Sequence, residues 1–153
     1  MALKQYAGAK PLRIPIESGS LPRDLMFGPF DMPIITQVLG KEIKALAPAD
    51  VQLVPAMVGD LGVFDVMNLL ASRNAIHEGK SEILKWTEFD GFPEKISQLF
   101  AIGRLVLAHK GIQDTKIFRL QGWQLPIIVS AVIRKVFEDS GATGVRLKEI
   151  DLA

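Results

Sequence analysis

Two runs of eight residues, Val51–Val58 and Val63–Leu70, are rich in β-branched and apolar side chains and are separated only by Gly59-Asp60-Leu61-Gly62. Glycine at both ends of a four-residue connection, with an Asp between, is turn chemistry, so the pair reads as a β-hairpin. A two-stranded hairpin does not hold itself together in water and needs further strands or a helical layer against it. The rest of the chain must supply that layer. Leu39, Ile43 and Leu46 recur at helical spacing with Lys41, Glu42 and Lys44 between them, Thr36 can cap the start and Pro48 stops the run, which predicts a helix over 37–47. A second helix is predicted over 131–140, capped by Ser130, striped by Val132, Ile133, Val136 and Phe137, and ended by Gly141. The expected architecture is α+β: a mostly antiparallel sheet around the 51–58/63–70 hairpin, with the helices packed on one face.

Shorter elements follow from the same signals. Residues 1–10 read as a loose N-terminus. Leu12, Ile14 and Ile16 alternate with Arg13, Pro15 and Glu17, and Pro15 places that strand at an edge because it has no N–H for a neighbour. Residues 17–32 form a Gly/Pro-rich loop that Phe27 and Phe30 are expected to pin to the body. The polar run 73–80 reads as a loop or one short helical turn, and Ile83–Trp86 as a strand. Pro93 opens a helix carrying Ile96, Leu99 and Phe100 and ending near Gly103. Strands are expected at Leu105–Ala108 and Lys116–Leu120 around a turn at Gly111–Asp114, and Val145 and Leu147 point inward from a closing strand. Pro33-Ile34-Ile35, a helix and Val51-Gln52-Leu53 echo Pro126-Ile127-Ile128, a helix and Val145-Arg146-Leu147. Two helix–strand units obeying the same packing rules explain that echo better than duplication does. The expected core is Leu39, Ile43, Leu53, Val66, Phe118, Ile128, Val136 and Leu147.

At 153 residues the chain is read as a single domain, 1–153, large enough to bury a core without cross-links. A hydrophobic content of 48% leaves apolar surface for a partner or a homodimer to cover. The net charge is +1 with both signs dispersed, which does not suit nucleic-acid binding. With no cysteine there is no disulfide, thiolate metal site or thiol nucleophile. Neither a secretory signal nor an apolar run long enough to span a membrane is present, so a cytoplasmic protein is expected.

The chemical inventory is thin. The two histidines, His77 and His109, stand far apart with no ligand pairing, so no metal and no cofactor is expected. The glycines after Asp139 follow a helix instead of opening one, which is the wrong order for a phosphate cradle. Ser81 lacks a local base, and Asp65, Glu88, Asp90 and Glu94 are not brought together by spacing alone. The expectation is therefore a non-enzyme. Interface chemistry is better represented. Trp86-Thr87-Glu88-Phe89-Asp90-Gly91-Phe92 combines aromatic rings with acids in a turn-rich segment, and Gln121-Gly122-Trp123-Gln124 presents a second indole on a turn. Rigid rings bury large areas at small entropic cost, so Trp86, Glu88, Phe89, Asp90 and Trp123 are the candidate partner-binding residues. The alternative is that these rings face the core. Arg119, among apolar neighbours, either faces solvent or pairs with a buried carboxylate such as Asp65.

Five segments, in order, carry a resemblance: Val51-Gln52-Leu53-Val54-Pro55, Phe64-Asp65-Val66-Met67-Asn68, Ile117-Phe118-Arg119-Leu120, Val129-Ser130 and Thr143-Gly144-Val145. Over roughly residues 30–153 the chain resembles the bacterial immunity proteins encoded beside polymorphic contact-dependent toxins. The resemblance implies an antitoxin that binds a cognate toxin domain and neutralises it without catalysis. His77 or Glu78 stands where that family commonly has an Asp, and the balanced charge departs from the acidity of many antitoxins. A binding module for a small molecule or peptide is the competing reading.

Overall fold

The computed structural model describes residues 4–8, 12–16 and 22–153. Strands β1 (Leu12–Ile14), β2 (Leu25–Phe27) and β3 (Pro33–Ile35) precede helix α1 (Gln37–Leu46). The hairpin β4 (Val51–Val58) and β5 (Gly62–Leu69) leads into β6 (Ser72–Arg73), β7 (Glu82–Lys85), β8 (Leu99–Arg104) and β9 (Val106–Leu107). The one-turn α2 (His109–Ile112), β10 (Ile117–Leu120), β11 (Trp123–Val129), α3 (Ala131–Ser140) and β12 (Asp151–Leu152) complete the order. The class is α+β, as the pattern predicts.

The main sheet has five strands in the order β1-β4-β5-β3-β2. The hairpin is its centre, running in register from Val51 opposite Leu69 to Val58 opposite Gly62. Among the described residues of this sheet only β1 runs parallel to its neighbour, at the edge that Pro15 predicts. Successive side chains of a strand face opposite sides, and here both sides are covered. Met67 and Leu69 join Ile35, Leu39, Ile43, Ile133 and Phe137 in one core, with α1 and α3 together on that face. Ile34, Val54, Ala56, Phe64 and Val66 form a second apolar layer with β1, Met26 and Met32. Burial on both faces is why the hairpin strands read as nearly continuous apolar runs. A second sheet, β11-β10-β6, encloses Phe118, Leu120 and Ile128. Two-stranded pairs β12-β9 and β7-β8 finish the fold. Among the described residues no helix is long and apolar enough to cross a membrane.

Several expectations are corrected. Pro93–Lys95 makes only a 3-10 turn, Ser97 takes a positive φ of 70°, and Leu99 and Phe100 then enter strand β8. The spacing of Ile96, Leu99 and Phe100 fits a helix face equally well, and pairing with the distant β7 decides against it. The strand expected over Leu105–Ala108 shrinks to Val106–Leu107, and the turn at Gly111–Asp114 overlaps α2. Residues Val145–Ile150 form no strand, and Leu147 is exposed because only Asp151–Leu152 finds a ladder partner. Leu53 and Val136 are half-buried, and Val132 is exposed because α3 turns Ile133 and Phe137 inward instead. Thr36 and Ser130 occupy N-cap positions, yet neither side chain makes a capping bond; the Ser130 hydroxyl is enclosed without a partner. Phe27 and Phe30 are exposed and do not pin the 17–32 loop, part of which is β2. Residues 17–21 of that loop, and 1–3 and 9–10 of the N-terminus, lie outside the described residues.

Candidate functional site: an aromatic arm

Strands β7 and β8 pair with each other from Glu82 opposite Arg104 to Lys85 opposite Leu99. Two irregularities in register leave Phe100 and Gly103 of β8 without partners, and such bulges bend a strand and re-aim its side chains. The ladder continues outward through Trp86 N–H to the Gln98 carbonyl and Ser97 N–H to the Trp86 carbonyl, both at 2.9 Å. Beyond it the tip folds as two 3-10 turns, Glu88–Asp90 and Pro93–Lys95. The Asp90 carboxylate locks the first turn, accepting from the Thr87 backbone N–H at 2.6 Å and the Thr87 hydroxyl at 2.7 Å. Those bonds, the backbone one first, favour the ionised form and hold the Asp90 carboxyl below its ordinary pKa.

Trp86 is the hub of the arm. Its ring meets Phe92 at 5.3 Å and Phe100 at 4.7 Å between centroids, both edge to face. That geometry sets the positive ring edge against the negative face. The Lys95 ammonium stands 4.9 Å from the Trp86 ring centre and 4.7 Å from that of Phe92, within cation–π range. The indole is thereby half-buried, while Leu84, Phe92, Ile96 and Phe100 remain exposed around it and Phe89 is 89% exposed. Glu88, Asp90 and Glu94 are exposed at the same tip. The arm thus presents an apolar surface rimmed by carboxylates.

Of the five candidate residues, Trp86, Glu88, Phe89 and Asp90 come together on this arm. Trp123 does not belong to it: it opens β11 and packs, half-buried, on the core of the second sheet with Leu105 and Ile112. Phe92, Phe100, Leu84 and Ile96 belong to the arm's surface and were missed as site residues. The helical reading of 93–103 hid Phe100 and Ile96; the aromatic run itself already contained Phe92.

Arg119 neither faces solvent nor pairs with Asp65. It is 8% exposed, and its guanidinium donates to three backbone carbonyls, those of Gln124, Leu125 and Asp31. Desolvation lowers its pKa, and the nearby Asp31 carboxylate partly offsets the shift. Asp65 is buried above Gly40 of α1, where a Cβ on residue 40 would stand 3.3 Å from a carboxylate oxygen.

The polar residues within the apolar strand motifs have a structural use. Gln52 and Asn68 face each other across β4 and β5. The Gln52 amide accepts from Tyr6 N–H and donates to the Tyr6 carbonyl, both at 2.7 Å, as a neighbouring strand would. Asn68 Nδ2 donates to the Gln52 Oε1 at 3.0 Å and to the Lys4 carbonyl at 3.2 Å. The expected loose N-terminus is therefore tied down at residues 4–6. His77 is half-buried with its Nδ1 enclosed and unbonded, and His109 opens α2. Among the described residues no three His, Asp or Glu side chains lie close enough to hold a metal ion. Comparison with models of known protein families and with curated protein sequences finds no match.

Proposed function

We propose that this protein is an immunity protein of the cytoplasm that neutralises a cognate toxin domain by direct, non-catalytic binding, and that the β7-β8 arm is its grip. The observation carrying this reading is the arm's exposed ring cluster, Phe92 and Phe100 packed edge to face on Trp86, with the exposed Phe89 on the adjoining turn. Rings held rigid before binding lose little entropy on contact, and they dominate interface energetics when a partner desolvates them. Glu88, Asp90 and Glu94 outnumber Lys85 and Lys95 on the arm, a small local negative excess that the whole chain lacks and that suits a basic toxin surface. The ordered motif resemblance supports the same reading.

Co-expression with the toxin-bearing neighbour gene tests it. The wild-type chain restores growth and co-purifies with the toxin. Phe89→Ser, at a site exposed enough to leave the fold intact, weakens binding by about 2 kcal/mol, the scale of an interface hot spot. Protection without a complex sinks the binding reading. A complex unaffected by Phe89→Ser and Phe92→Ser moves the interface off the arm.

A further inference from the structure

Among the described residues, helices cover one face of the main sheet. On the other face, beside Val54 and Val66, lies an open cleft of about 620 Å³. Its walls are the N-terminal segment Lys4–Gly8, Leu12, Met32 and Phe30, and Arg119 reaches it from the second sheet. The volume falls within the ~300–1,000 Å³ common for small-ligand sites.

Three features of this cleft exceed what packing requires. Arg119 is more than nine-tenths buried, yet no carboxylate of the described residues lies within ion-pairing distance. Its three carbonyl bonds leave guanidinium N–H groups without an acceptor among the described residues. Phe30 and Asp31 both hold positive φ, 59° and 54°, a conformation costly for residues with a Cβ. The Asp31 carbonyl is fastened there by Arg119 at 2.7 Å, and the reward is not burial: the Phe30 side chain is 101% exposed at the rim. The loop is held in a strained shape that stands an aromatic ring in water beside an apolar cleft containing a buried cation. One wall is the Lys4–Tyr6 segment, held by the Gln52 and Asn68 amides.

We infer that this cleft binds a small amphipathic monocarboxylate, with Arg119 receiving the carboxylate and Phe30, Met32 and Tyr6 closing over the apolar body. A guanidinium matches a carboxylate through parallel N–H bonds, and the burial of Arg119 at the cleft wall strengthens the pairing. A single negative charge suits the site because the Asp31 carboxylate, close enough to act on Arg119, disfavours a more highly charged anion. The site is separate from the toxin-binding arm and stands or falls independently of it.

Titration calorimetry on the full chain tests the inference, using decanoate, decanol, and an apolar hexapeptide with either a free or an amidated C-terminus. Decanoate binds, decanol binds at least about tenfold more weakly, and chloride does not compete at equal concentration, the scale expected for one charge-assisted bond. If only the free-acid peptide binds and its amide does not, the carboxylate is supplied by a chain terminus. Phe30→Gly relieves the strained φ and keeps or raises the melting temperature while weakening carboxylate binding about tenfold or more. Arg119→Gln abolishes the preference for decanoate over decanol, a readout that a purely structural arginine would not move. Binding of neither acid, equal binding of acid and alcohol, or full affinity in Phe30→Gly each overturns the assignment.

Discussion

Substituting Gly144 by alanine isolates the contact that ties the end of α3 to the far edge of the main sheet. After Gly141 ends the helix at φ +62°, the chain doubles back so that Thr143 meets Asp24 and Leu25 at β2. Leu25 N–H donates to the Thr143 carbonyl at 3.1 Å, Thr143 N–H donates to the Asp24 carboxylate at 2.8 Å, and Asp24 N–H donates to the Thr143 hydroxyl at 3.0 Å. Gly144 sits at φ +79° with its Cα against that edge, and an added Cβ would lie 2.2 Å from the Leu25 carbonyl oxygen. Gly141 also has positive φ, but nothing lies within 4 Å of its Cβ position. Gly141→Ala therefore costs only the left-handed penalty, about 1 kcal/mol. Gly144→Ala carries the same penalty and must also withdraw from β2, weakening two or three hydrogen bonds worth about 1 kcal/mol each, for a total of about 3–4 kcal/mol. Urea unfolding of both variants, followed by circular dichroism with m-values compared, reads the difference. A Gly144→Ala loss within about 0.5 kcal/mol of the Gly141→Ala loss would refute the close-packing argument.

Other perturbations separate the layers of the fold. Ile43→Ala, at a fully buried position between α1 and the sheet, should cost about 2–5 kcal/mol, and Val136→Ala, half-buried on α3, distinctly less in the same thermal or urea assay. Gln52→Ala should leave the hairpin intact but raise amide hydrogen exchange at Tyr6, because the strand-like pairing of that residue is made by the Gln52 side chain; unchanged protection would mean that other contacts hold the segment. The Asp90 carboxyl is depressed in the folded arm, so its contribution is present at neutral pH and is lost as the pH falls below the ordinary carboxylate range through its folded value. Carboxyl NMR should find its midpoint below ~3.9, and Asp90→Asn should remove that titration along with the pH dependence of the tip's amide shifts. A midpoint at or above the ordinary value would contradict the Thr87 lock.

Elements whose signals are local were legible in the residues. The 51–70 hairpin announces itself through its turn and β-rich flanks, α1 and α3 through their periodic stripes, and the edge position of β1 through Pro15. Each depends on residues a few positions apart, so no knowledge of distant neighbours is needed. The arm was half legible: Trp86 to Phe92 showed an unusual ring-and-acid cluster, while Ile96, Leu99 and Phe100 satisfied a helix and a strand alike, and only pairing with β7 chose between them. Leu147 shows the opposite failure, an inward-looking residue in an alternating pattern that found no ladder and stayed exposed. Arg119, Gln52 and Asn68 carried no readable role, because their partners are backbone groups placed by the fold: the nearby Gln124 and Leu125 and the distant Asp31 for Arg119, and Lys4 and Tyr6 for the amides. Periodicity and turn chemistry were enough to determine the hairpin, the helices and the α+β class. Strand partners, the arm's surface and the cleft were decided only in three dimensions, where backbone groups and buried charge far apart in sequence had to be satisfied together.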